Sequence, residues 1–201
     1  MSIVHLILRI ECFFSKSMFV VKTQKVSFKS FKEPFSPILD LGGGGEGVVG
    51  QLYQNKVTAI DLRQSELDEV PNGPLKVCAD ARNLPFANNS FKSVTAFYFF
   101  MYVNPQDYLQ VIRETYRVLE ANGTFFIWDT MIPKREKLQK TLFVVPLLAI
   151  LPHKTIATAY GVKWENHFLN DALLINMLKE VGFKITSHKA SQSAFYIECS
   201  K

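Results

Sequence analysis

The stretch Ser36-Pro37-Ile38-Leu39-Asp40-Leu41-Gly42-Gly43-Gly44-Gly45-Glu46-Gly47-Val48-Val49 decides the fold. Its first half is a short apolar run of the kind that forms a buried strand, and it ends on a glycine loop. Val48, Val49, Leu52 and Tyr53 then recur at helical spacing. The order is strand, glycine loop, helix. Consecutive glycines give up chain rigidity without any packing gain. In return they let backbone N–H groups approach a ligand with no Cβ in the way, in front of the partly positive start of a helix.

Working outward, the same rhythm repeats. Val57 to Ile60 reads as a second strand ending at Asp61, and a short polar helix covers Gln64 to Glu69. Leu75 to Ala79 reads as a third strand ending at Asp80, and Ser93 to Phe99 as a fourth. A helix from about Pro105 to Leu119 follows, closed by Asn122-Gly123, and a fifth strand spans Thr124 to Asp129. Strands that alternate with helices build a doubly wound, Rossmann-like parallel sheet with right-handed crossovers. The ending differs: after a helix over Leu173 to Val181, Phe183 to His188 and Ala194 to Cys199 are joined by a short polar turn. Such strands must pair antiparallel, giving a seven-stranded α/β sheet that is mostly parallel with an antiparallel C-terminal hairpin.

Two segments fall outside this rhythm. Residues 1–35 read as an N-terminal arm in which Val26, Phe28 and Phe31 alternate with lysines. Met18 opens a segment continuous with the rest, so Met1 and Met18 both stand as candidate starts and 1–17 need not be native, which N-terminal mass spectrometry of the native protein would settle. The domain proper is 36–201. Within it, Ile132 to Asn170 is expected to form a substrate lid, 132–170, as a helix packed on the core. Its basic residues (Lys134, Arg135, Lys137, Lys140) followed by the apolar run Leu142 to Leu151 suit a hydrophobic or anionic acceptor, or peripheral contact with a membrane surface.

In an open parallel sheet, ligands bind beyond the carboxyl ends of the strands. Asp40, Asp61 and Asp80 all stand at such ends. Asp61, 19 positions after Gly42 on the neighbouring strand, is placed to accept hydrogen bonds from both hydroxyls of a ribose. Asp80 with Ala81 suits an adenine amino group. The loop alone also satisfies the dinucleotide pattern through Gly42, Gly44 and Gly47. The charge of Asp40 disfavours a pyrophosphate there and tolerates a cationic or zwitterionic group.

Taken in order, Ile38-Leu39-Asp40-Leu41-Gly42-Gly43-Gly44, Ala59-Ile60-Asp61, Ala79 to Phe86, Ser90-Phe91 and Tyr116 to Phe125 resemble the successive signatures of class I S-adenosylmethionine-dependent methyltransferases, of the type 11-like group. The resemblance spans Ser36 to Lys201 apart from the middle insertion. It implies S-adenosylmethionine as cofactor. Asp40, Gly42, Gly43 and Gly44 would line its methionine part, Asp61 with Leu62 its ribose end, and Asp80 with Ala81 its adenine. The family's loop runs D-x-G-x-G-x-G. Here Glu46 stands at the last glycine position and Gly47 follows.

Methyl transfer from a sulfonium is an in-line displacement that alignment and desolvation can promote without a side-chain nucleophile. No catalytic residue is therefore assigned; His153, Tyr160, Glu165 and His167 in the insertion are candidate bases. Tyr98 and Tyr102 are candidates for facing the sulfonium by a cation–π contact, against a role in the aromatic core. The segment Phe97 to Tyr102 does not resemble the signature that grips a planar nitrogen, so a small-molecule acceptor is expected and nucleic acid is not.

Composition sets the frame. In 201 residues, 48% hydrophobic and 20% charged with a net charge of +5, there is core for one domain and no sign of disorder. The unpaired Cys12, Cys78 and Cys199 give no disulfide or zinc pattern, no metal site is expected, and a cytoplasmic setting is the default. No run approaches the roughly 20 apolar residues of a membrane span. Two rivals stand: a non-catalytic adenosyl-nucleoside-binding module, and an NAD-dependent oxidoreductase. The second lacks a Tyr-x-x-x-Lys pair anywhere in Ser93 to Leu169.

Overall fold

The computed structural model describes residues 17–31, 33–135, 140–165 and 167–201. Its main sheet has seven strands: β3 (Ile38–Leu41), β4 (Val57–Asp61), β5 (Leu75–Cys78), β6 (Phe91–Phe97), β7 (Leu119–Thr130), β10 (Lys184–Ala190) and β11 (Ala194–Ser200). The spatial order is β10-β11-β7-β6-β3-β4-β5. β3 pairs parallel with both β4 and β6, and only the β7-β11-β10 end is antiparallel. After β3 the chain winds one way through β4 and β5, then crosses back to β6. A crevice therefore opens at the carboxyl ends of β3 and β6, where such sheets place ligands.

Burial explains the strands. All four residues of β3 are buried, as befits a central parallel strand covered on both faces. The helices are α1 (Val48–Tyr53), packed against β4 and β6, α2 (Gln64–Glu69), against β4 and β5, α3 (Tyr108–Val118), against β7, and α4 (Asp171–Val181), against α3, β10 and β11. On α3 the buried residues Tyr108, Val111, Ile112, Thr115 and Val118 fall on one stripe. The start of α4 is capped by Asn170, whose side chain accepts from Leu173 N at 2.7 Å; its end is Gly182 at φ 112°.

Of the boundaries that move from the sequence expectation, two have a clear backbone cause. Asn122-Gly123 does not close α3, which ends at Val118. Instead Asn122, at φ 65°, sits in a bulge near the start of β7, between the pairs Phe91↔Leu119 and Ser93↔Thr124. The fourth strand ends at Phe97, not Phe99, because Tyr98 takes φ 52° and turns the chain.

The larger correction concerns the insertion. Its described residues form a β-hairpin, β8 (Leu142–Ile150) and β9 (Thr155–Lys163), rather than a lid helix. The other edge of β8 is taken by the arm, first β1 (Met18–Val20) and then β2 (Gln24–Ser27), both parallel to it. Pro146 falls in the gap between those two pairings, where its missing N–H interrupts neither. Alternate residues of β8 (Phe143, Val145, Leu147, Ala149) are all but fully buried. Phe19 stacks on Phe143 at 5.7 Å and touches Trp164 at 4.8 Å. This smaller sheet is tied to the main one by buried Gln24. Its Nε2 donates to Thr130 Oγ1 at 3.0 Å and to Ser193 O at 2.7 Å, and its Oε1 accepts from the Tyr98 hydroxyl. Apart from Ser17, whose carbonyl accepts from Thr141 N at 2.8 Å, the expectation about residues 1–17 lies outside the described residues, as does Lys137 of the basic patch.

Candidate active site

A cavity of about 880 Å³ lies over the carboxyl ends of β3, β4 and β6, and β9 forms its far wall. Six of the eight residues singled out from the sequence line it: Gly42, Gly44, Asp61, Leu62, Asp80 and Ala81. Asp40 and Gly43 do not; they stand behind the loop. Asp40 is 2% exposed and its Oδ1 accepts from Thr95 Oγ1 at 2.7 Å. A Cβ on Gly43 would sit 2.7 Å from Asp40 Oδ2 and 2.8 Å from Ala59 Cβ, so only glycine fits between the carboxyl and β4. Gly43 N donates to Ile60 O at 2.9 Å and Gly45 N to Glu66 O at 2.8 Å, which fastens the loop to the neighbouring strand and helix.

Asp61 ends β4 with Oδ1 accepting from Arg63 N at 2.9 Å. Its Oδ2 has no hydrogen-bond partner among the described residues and faces Gly44, where a Cβ would come within 2.7 Å of it. Asp80 is differently occupied. Arg82 grips both of its oxygens, with Nε at 3.0 Å from each and Nη2 at 2.7 Å from Oδ2, and also reaches Asp107 at 3.0 Å. Those hydrogen bonds hold the Asp80 carboxyl below its ordinary range. Leu62 is 66% exposed, an apolar side chain left open at the cavity rim.

The remaining wall is aromatic: Phe97, Tyr98, Phe99 and Tyr102 from the end of β6 and the turn after it, and Tyr160 from β9. The Tyr98 and Tyr160 rings lie 5.5 Å apart, those of Tyr102 and Tyr160 6.3 Å. Burial raises the Tyr102 hydroxyl to about 12 and pushes those of Tyr98 and Tyr160 up as well, so all three are neutral at physiological pH. Of the four candidate bases in the insertion, Tyr160 alone lines the cavity. Sequence reading missed Gln24 and Thr158. Glu46, seen there only as a departure, accepts through Oε1 from the Thr158 hydroxyl.

Two buried carboxyls have a measurable consequence. Desolvation raises both Asp40 and Asp129 to about 7; the Thr95 bond partly offsets this for Asp40, and the Thr130, Phe100 and Met101 N–H groups do so for Asp129. Asp40 therefore carries only part of a charge near neutrality, which weakens the case against a pyrophosphate built on it. The unfolded chain releases these protons near pH 4. The native state binds more protons between about 4 and 7, so the stability the two groups confer is full below that window and is lost as pH rises through 7. Asp40→Asn, neutral and isosteric, should gain on the wild type by at most about 2–3 kcal/mol between pH 5 and pH 8. Urea midpoints at the two pH values measure it; a constant difference would show that Asp40 is ionised in the fold.

Residues 39–127 match the family model for a methyltransferase domain. The chain is 31% identical over 161 residues to a demethylmenaquinone methyltransferase of Listeria monocytogenes, covering 74% of this chain and 62% of the relative. It is 27% identical over 164 residues to that of Thermotoga maritima, covering 74% and 70%. A SAM-dependent methyltransferase structure from Methanosarcina mazei superposes with a TM-score of 0.59 at 17% identity, over 86% of this chain and 95% of that one. The fold likeness, the matched domain and the acid-ended strands around one cavity converge: the chain belongs to the class I S-adenosylmethionine-dependent methyltransferase family.

Proposed function

We propose that this protein transfers the methyl group of S-adenosylmethionine to a small, planar, electron-rich ring of the quinol type. The observation that carries the reading is the division of one cavity into an acid-edged glycine wall and an aromatic wall. Relatives spanned to 62% and 70% of their length are named for a quinone acceptor, which supports the ring as the second ligand.

The residues present fit the cofactor. Gly42 and Gly44 leave backbone where a side chain would intrude, Asp61 offers a free carboxylate oxygen to a ribose, and Leu62 with Ala81 offers apolar contact to a base. Asp40 and Gly43 act one layer back, by fixing the loop. Since Arg82 holds both oxygens of Asp80, that acid serves chiefly to shape the turn before Ala81. When bound, S-adenosylmethionine would supply a methyl group on a positively charged sulfur, the electrophile for the acceptor. The chain's own contribution is alignment and exclusion of water by the lid. Among the described residues that line the cavity there is no histidine, and of the candidate bases Tyr160 lines it.

Calorimetric titration with S-adenosylmethionine, S-adenosylhomocysteine and NAD in parallel is the first test. Binding of the two adenosyl compounds but not NAD is expected. Incubation of labelled cofactor with a reduced naphthoquinone should then place label on the ring. Binding of NAD alone would overturn the reading, and adenosyl binding with no turnover on any reduced quinone or phenol would leave a nucleoside-holding module.

A further inference from the structure

The residue that breaks the glycine pattern is the one that joins the two walls of the cavity. Glu46 stands between Gly45 at φ 59° and Gly47 at φ 55°, two left-handed positions that turn its side chain out of the loop. Gly47 is itself wedged, since a Cβ there would lie 2.6 Å from Val70 Cγ1. The Glu46 main-chain carbonyl is held by Gln51 Nε2. Its carboxylate takes the Thr158 hydroxyl, which lies on the same inward face of β9 as Tyr160, two residues further on. Their partners across the hairpin, Leu147 and Val145, are buried and anchor that face. Among the described residues no other hydrogen bond runs from the glycine loop to the lid sheet.

From this we infer that Glu46 is a positioning residue: it ties the lid to the cofactor loop through Thr158 and so holds in place the strand that carries Tyr160, the acceptor-facing wall. The inference rests on the cofactor reading above, because it makes occupancy of the loop felt at the lid. A glutamate suits the task where the family pattern has glycine. Its carboxylate accepts strongly from the Thr158 hydroxyl, a glutamine amide oxygen accepts more weakly, and alanine does not accept at all.

Hydrogen exchange of the hairpin amides (142–163), with and without S-adenosylhomocysteine, tests it without knowledge of the acceptor. In the wild type the ligand should slow exchange in both the glycine loop and the hairpin. Glu46→Ala should speed hairpin exchange about tenfold in the free protein and abolish its slowing by ligand, while the main-sheet amides keep their protection. Glu46→Gln should restore part of both effects. Thr158→Val leaves the loop intact and should loosen the hairpin as Glu46→Ala does. With a turnover assay in hand, Glu46→Ala should raise the KM of the acceptor more than that of the cofactor. Failure of the wild type to bind S-adenosylhomocysteine would remove the cofactor reading and this inference with it. Ligand binding with hairpin exchange unchanged in Glu46→Ala and in Thr158→Val would remove the inference alone.

Discussion

Asp61→Ala should weaken S-adenosylhomocysteine binding about a hundredfold, the loss of two hydrogen bonds to a charged acceptor at roughly 1.5–3 kcal/mol each, offset in part by water. The site makes this the sharpest test of the cofactor half. Asp61 stands at the end of β4, its Oδ1 is fixed by Arg63 N at 2.9 Å, and its Oδ2 is left free toward the loop. A carboxylate held by one oxygen and open at the other is oriented before a ligand arrives, so little affinity is lost in ordering it. Asp61→Asn keeps an oxygen for the Arg63 bond and loses the charge, and should cost about tenfold. Calorimetry measures both, with circular dichroism to show that the fold persists. An affinity within about threefold of wild type for Asp61→Ala would leave the ribose without its assigned partner.

The core of this arrangement was open to reading because its signals are local. The apolar run into Asp40, the glycines, and the helix over Gln64–Glu69 each announce themselves within a dozen residues, and strand alternation with helices orders the sheet. What escaped depends on partners far along the chain. The run Leu142–Ile150 is equally apolar as helix or strand; it becomes a strand because the arm, more than 100 residues earlier, pairs with one edge and β9 with the other. Glu46 was conspicuous as a departure, yet its purpose lies 112 positions away at Thr158. Gln24 meets Thr130 at a separation of 106. The arm's alternation of apolar and polar residues was visible, but a buried glutamine in it carries no local mark. Asp40 illustrates a different limit: a strand-end acid can face the ligand or lie beneath the loop, and only the packing of Thr95 and Gly43 against it decides.

Gly43→Ala should then strike the fold as well as the site, lowering stability by about 2–4 kcal/mol and abolishing S-adenosylhomocysteine binding. Its backbone is not in the left-handed region, so the effect is steric alone. The new methyl would lie 2.8 Å from Ala59 Cβ, 3.2 Å from Ala59 Cα and 2.7 Å from Asp40 Oδ2. Ala59 is fully buried in β4, and Asp40 is locked by Thr95, so neither can retreat. The loop must lift instead, which breaks the Gly43–Ile60 bond that fastens it. Gly45→Ala is the contrasting case. It lies at φ 59° and meets only Glu66 Oε2, a movable side-chain tip at 3.3 Å, so its cost should be the roughly 1–2 kcal/mol of a left-handed alanine. Urea unfolding of the two variants measures the difference. Adding Ala59→Gly to Gly43→Ala removes the nearer methyl and should recover part of the loss, whereas a cavity-forming change elsewhere in β4 would only add to it. A Gly43→Ala variant within about 0.5 kcal/mol of wild type would show that the loop rides free of the sheet, and the glycines would then answer to the ligand alone.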